Sequence, residues 1–134
     1  MRILIIDDDK VFLSLMEGIL SQKGYHVTSA SDGKQAREAV EREAFDLIIS
    51  DVFMPALDGV RFHSFVREFT DSRDVPFIFI SAHADEHLQN LAMKSANDYF
   101  LRKPVPVEEI LGLIEKVTGP SPRGDSGIPK PGAR

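Results

Sequence analysis

Three carboxylates, an alcohol and an amine stand close behind apolar runs in this chain. Asp7 and Asp8 follow Ile3 to Ile6, Asp51 comes soon after Leu47 to Ile49, Ser81 follows Val75 to Ile80, and Lys103 comes soon after Tyr99 to Leu101. Carboxylates brought together repel one another and titrate at raised pH unless a cation shares their site. Hard oxygen ligands of this kind suit Mg²⁺ (or Mn²⁺), which often completes its shell with water and phosphate. Such a metal would neutralise the cluster and let one carboxylate attack an anionic phosphoryl group, giving an acyl phosphate. A hydroxyl could then donate to the phosphoryl oxygens, and an ammonium would supply a compact positive charge. Taken singly, each residue has a plainer reading. Asp51 could end a strand, Asp7-Asp8-Asp9 could cap a helix, Ser81 could be a loop hydroxyl and Lys103 a solvated charge. Asp9 is assigned to capping alone. The chemistry requires a fold that brings the other five residues to one place.

The elements that would do so alternate regularly. Ile3–Ile6 reads as a short buried strand, followed by Phe12, Leu15, Met16, Ile19 and Leu20 at helical spacing up to Gly24. Tyr25–Ser29 reads as a second strand, and residues 33–43 as a helix with Ala36, Ala39 and Val40 on its apolar face. Phe45–Ser50 is a third strand. Gly59–Phe69 is a helix with Val60, Phe62, Phe65, Val66 and Phe69 toward the core. Val75–Ile80 is a fourth strand, residues 86–96 a fourth helix, and Tyr99–Leu101 a short fifth strand. A last helix spans about Pro106–Val117, with Pro106 in its first turn. His26 and His63 show no partners that suggest chemistry.

Near-continuous apolar strands joined by helices imply a parallel sheet covered on both faces. With right-handed crossovers this is a doubly wound α/β domain of five strands. In the order 2-1-3-4-5, strands one, three, four and five are neighbours, and the five polar residues share the carboxyl edge where ligands of such sheets bind.

Bulk properties narrow the function. The chain has 134 residues, enough for one domain with an ordinary core. It is 43% hydrophobic and 28% charged, the composition of a soluble globular protein. A net charge of −5 argues against direct nucleic-acid binding and against anionic membranes. Cysteine is absent, which excludes disulfides and thiolate metal sites. No apolar run approaches spanning length, and the start MRILIIDDDK lacks the apolar stretch of a secretory signal, so a cytoplasmic location is expected. Residues 119–134 differ from the rest: eight of the sixteen are Gly or Pro, the composition of a linker or disordered tail. Residues 1–118 form the folded unit. The stretch His83 to His87 matches the inverted zinc-protease spelling, but it straddles a strand exit and a helix start, where the two histidines do not share a helical face.

With these residues in place, the chain resembles the receiver domains of two-component response regulators, the CheY-like branch of the flavodoxin-like folds. The resemblance covers about residues 1–118. It rests on Asp7-Asp8, on Asp51 followed by Met54-Pro55 and Asp58-Gly59, on Ser81-Ala82 and on Lys103-Pro104, at intervals like the family's. It implies that Asp51 accepts a phosphoryl group from the phosphohistidine of a sensor histidine kinase or phosphotransfer protein. Asp8, Asp51 and the backbone carbonyl of Phe53 would bind Mg²⁺, with Asp7 acting through water. Lys103 and Ser81 would contact the phosphoryl group, and Ser81 and Phe100 would switch with it. The surface of the fourth helix, fifth strand and last helix would be the output face, and the Lys103-Pro104 bond is expected to be cis. Phe53 and His83 hold the positions that tune phosphoryl lifetime in the family. The chain departs from the commonest pattern in having Ser81 where threonine is frequent and Phe100 where tyrosine is frequent.

On this reading the protein is a signalling phosphoacceptor, catalysing only its own phosphorylation and dephosphorylation. An output domain, a separate effector and a phosphorylation-linked dimer are all compatible with it. Other classes compete. A phosphohydrolase using Asp51, similar to haloacid-dehalogenase-type phosphatases, would carry a second aspartate two residues on, where this chain has Phe53. A flavodoxin-like cofactor binder would have a Gly/Ser/Thr-rich loop where this chain has DDDK. A receiver-like module that binds partners without phosphorylation would not need the intact acidic cluster.

Overall fold

The computed structural model describes residues 1–52, 59–70, 74–82, 90 and 96–120. Within these the order is β1 (Arg2–Ile6), α1 (Lys10–Gln22), β2 (His26–Ala30), α2 (Gly33–Arg42), β3 (Leu47–Ser50), α3 (Gly59–Phe69), β4 (Phe77–Ser81), β5 (Asp98–Arg102) and α4 (Val107–Thr118). The strands form one sheet in the order β2-β1-β3-β4-β5, parallel throughout. The doubly wound class and the strand order agree with expectation. The helix expected over residues 86–96 lies outside the described residues apart from Asn90, which is helical, and Ala96, which is in a turn. So does most of the segment 119–134.

Side-chain alternation splits the core into two layers. Leu4, Ile6, Ile48, Phe77 and Phe79 pack with Ala36, Ala39 and Val40 of α2 and Phe62 and Val66 of α3. Ile3, Ile5, Leu47, Ile49, Ile78 and Ile80 pack on the other face with Leu13, Met16 and Leu20 of α1 and Ile110 and Ile114 of α4. The strands are apolar on both sides because helices cover both sides.

Local differences from the sequence reading have local causes. The second strand starts at His26 because Tyr25 completes the end of α1. Gly24 has a positive φ of 93°, its N–H donates to Ser21 O (3.0 Å), and Tyr25 N–H donates to Leu20 O (3.2 Å). This is a Schellman closure, and Tyr25 is buried in the same layer as Leu20. Leu15, expected in the core, is 52% exposed, and Leu13 takes its place on the buried stripe of α1. Pro106 is the N-cap of α4 rather than a first-turn residue, with extended backbone at φ −63° and ψ 145°. The fourth strand runs one residue further than the apolar pattern, so Ser81 ends β4 and pairs with Arg102.

Candidate functional site

The register decides which polar residues meet. Ile6 pairs with Ser50, so Asp7 and Asp51 leave adjacent strands side by side. Asp51 N–H donates to Ile6 O (3.0 Å), extending the ladder by one step, and Asp7 N–H donates to Ala30 O (3.1 Å). The chain connection reverses between β1 and β3, and such a switch point is where ligands of open α/β sheets bind. On the other side, Lys103 N–H donates to Ser81 O (2.9 Å), which carries the β4–β5 pairing to the same edge. The Lys103-Pro104 peptide is cis, as expected.

Lys103 Nζ donates to Asp7 Oδ2 at 2.8 Å and to Asp51 Oδ2 at 3.3 Å. One oxygen each of Asp7, Asp8 and Asp51 lies within 4.8 Å of the others, close enough to share a metal ion. Asp7 is buried, Asp51 nearly so, and Asp8 exposed. Among the described residues three carboxylates meet one ammonium here, and the hard oxygen donors fit a divalent cation. Burial pushes the Asp7 carboxyl above its ordinary value, although the hydrogen bond from Lys103 and the Asp9 N–H pull the other way. Burial also opposes the charge on Lys103. The hydrogen bond to Asp7 and the attraction of Asp51 outweigh it, so its ammonium is held above the usual lysine range.

Asp9 does what its position suggested. It caps α1, its carboxylate accepting from Val11 N–H (3.0 Å) and Phe12 N–H (3.1 Å). Its own N–H donates to Asp7 Oδ1 (3.0 Å), tying the helix start to the pocket.

Alternation separates the remaining polar groups in a way the linear sequence did not show. Asp7, Asp51 and Lys103 meet on the side of the sheet covered by α1 and α4. Ser81, two residues beyond Phe79, has the parity of the layer that contains α2 and α3. Phe100 is half-buried on that same layer, its ring centroid 6.3 Å from that of Phe79. Ser81 is fully buried. Phe53 and His83 lie outside the described residues, as do Met54, Pro55 and Asp58.

A second cluster escaped the sequence reading. His63 Nε2 lies 2.7 Å from Asp98 Oδ1, and Arg67 Nη2 donates to the same oxygen at 2.7 Å. Arg67 also donates to the Val75 carbonyl (2.6 Å). His63 is buried against the rings of Phe77 and Phe79, and its partners are structural. The signal was present in two fragments: His63 and Arg67 are four apart on α3, and Asp98 shares the inward parity of Phe100. Only the pairing of α3 with β5 joins them.

A parallel 2-1-3-4-5 sheet with an acid-rich pocket at its switch point defines a doubly wound domain with carboxylates placed to hold a cation. Comparison with known proteins is specific about which one. Residues 3–115 match the response regulator receiver domain. The chain is 33% identical over 119 residues to a probable chemotaxis protein CheY of Rhizobium etli, covering 88% of this chain and 92% of that one. It is 37% identical over 120 residues to the two-component response regulator ARR12 of Arabidopsis thaliana, covering 87% of this chain but 20% of the relative. Among solved structures, the receiver domain of the sensor histidine kinase PA1611 of Pseudomonas aeruginosa superposes with a TM-score of 0.77 at 32% identity. That match covers 88% of this chain and 97% of the other, which has a magnesium ion coordinated in its active-site cleft. The chain belongs to the response regulator receiver family: it is a receiver domain of two-component signalling. Among the described residues no helix is long and apolar enough to cross a membrane.

Proposed function

We propose that this domain is a Mg²⁺-dependent phosphoacceptor in which Asp51 takes a phosphoryl group from the phosphohistidine of a sensor kinase or phosphotransfer protein. The observation that carries the reading is the meeting of Asp51 with Asp7, Asp8 and Lys103, which arrive from three separate strand ends. A cation held by Asp8 and Asp51, with Asp7 behind, would offset the negative charge and coordinate phosphoryl oxygens. An Asp51 oxygen would form the new bond to phosphorus as the donor's phosphorus–nitrogen bond breaks, the electron pair leaving with the imidazole. Lys103, already 3.3 Å from Asp51, would neutralise charge on the transferring group. Ser81 would donate its hydroxyl to a phosphoryl oxygen from the other side of the strand edge.

Because Ser81 and Phe100 share one layer, movement of the first toward the phosphoryl group would free space for the second. That is the route by which the state of Asp51 would reach β5 and the elements beside it, the proposed output face. Phe53 and His83 are assigned to tuning how long the phosphoryl group survives. Residues 1–118 would be the functional unit, with the following segment a linker. The greater length of relatives such as ARR12 is compatible with an effector domain or separate effector that reads the output face.

The test is incubation with acetyl phosphate and Mg²⁺, followed by intact-mass measurement. A labile phosphoryl adduct is expected that needs the metal and disappears in Asp51→Asn. Sustained turnover of a phosphate ester, or an adduct surviving in Asp51→Asn, would sink the proposal.

A further inference from the structure

Lys103 donates to two carboxylates, and its ammonium also lies over an aromatic ring. The ring centroid of Phe12 lies 5.2 Å from Lys103 Nζ, within the range of a cation–π contact. Phe12 is half-buried in the third position of α1, and its placement is not incidental to the pocket. Its N–H is bonded to Asp9, the Asp9 N–H is bonded to Asp7, and Lys103 Nζ is bonded to Asp7. The four residues therefore form a closed circuit of contacts: Asp7, Asp9, Phe12, Lys103. The lysine needs such help. Its side chain is 24% exposed on a flexible four-carbon stem, and it borders a cavity of about 370 Å³ lined by Asp9, Phe12, Ala82, Pro104 and Val105. Without a wall on that side, the ammonium could swing into the cavity and away from Asp51.

We infer that Phe12 is a positioning residue for phosphoryl transfer, its ring face holding the Lys103 ammonium against Asp51. The inference rests on the reading of Asp51 as phosphoacceptor. Two features distinguish it from simple packing. An apolar side chain of similar bulk would fill the same space but would offer no negative face to the cation, and a ring with its quadrupole reversed would repel it.

The experiment compares the rate of Asp51 adduct formation from acetyl phosphate at saturating Mg²⁺ in four proteins: wild type, Phe12→Tyr, Phe12→Leu, and a chain carrying pentafluorophenylalanine at position 12. Tyrosine is expected to stay within about twofold of wild type, while leucine and the fluorinated ring slow transfer roughly three- to tenfold. Mg²⁺ affinity and the urea midpoint serve as controls and should hold steady for the near-isosteric fluorinated ring. A fluorinated or leucine variant that reacts as fast as wild type overturns the assignment. A wild-type protein that forms no adduct at all instead overturns the phosphoacceptor reading itself.

Discussion

Two charged clusters sit on one sheet, at opposite ends of its strands and on opposite faces. Asp7, Asp51 and Lys103 stand where β1, β3 and β5 end, on the side of α1 and α4. His63, Arg67 and Asp98 meet where β5 begins, on the side of α3. In the second cluster one carboxylate receives two donors, and its charge is met by Arg67 inside the protein. Its members are 2%, 16% and 0% exposed at the side chain, for His63, Arg67 and Asp98. In the first, three carboxylates face one ammonium among the described residues, with Asp8 open to water. A balanced, closed cluster holds a fold together. An acid-rich one open to water is suited to hold a cation.

Substitution of Asp98 tests the closed cluster most severely. Asp98→Ala removes the acceptor from a buried arginine and histidine, and is expected to cost about 3–5 kcal/mol of stability, read from the urea midpoint. The folded fraction should still take up phosphate at the wild-type rate per folded molecule. A slower intrinsic rate would show that the two clusters are coupled and that the contrast between them is wrong.

Next in size is Lys103→Met, expected to slow adduct formation by about 10²–10³-fold, the usual effect of losing one preorganised charge stabiliser. The urea midpoint should fall far less than in Asp98→Ala. Equal destabilisation by the two would place Lys103 among the structural ions.

Mg²⁺ itself should stabilise the open cluster by mass action. At ten times the dissociation constant the gain is about 1.4 kcal/mol, seen as a rise in the urea midpoint. Asp8→Asn should shrink the effect, and Asp98→Ala should leave it intact.

The smallest effect concerns pH. A carboxyl raised in the folded state holds its proton there more tightly than in the unfolded chain, so stability falls as pH climbs from 3.8 through the raised value of Asp7. Measured without metal, wild type should therefore lose stability relative to Asp7→Asn across that window. A difference that stays flat with pH would mean that burial of Asp7 carries no net penalty.

The fold was legible because its signals are local. Short, mostly apolar strands, helices with one apolar face and a glycine at the end of α1 each need no knowledge of distant residues. Polar residues behind strand ends were legible for the same reason, since parallel strands bring their carboxyl ends to one edge. Element ends were less so: Tyr25 reads as a strand residue by type, and only the closure around Gly24 shows why it stays outside β2.

What the sequence determined by itself was a set of polar groups and the edge they share: Asp7, Asp8, Asp51, Ser81 and Lys103, each set by its offset from an apolar run. What the tertiary structure decided was the face each one takes and the neighbours it finds there. Register places Asp7 and Asp51 side by side with Lys103, and turns Ser81 toward the layer of Phe100. It also lays the ring of Phe12 beside Lys103 and joins His63 to Asp98 across 35 positions of chain. Such contacts depend on which strands and helices pack together, and no local pattern in a sequence encodes that.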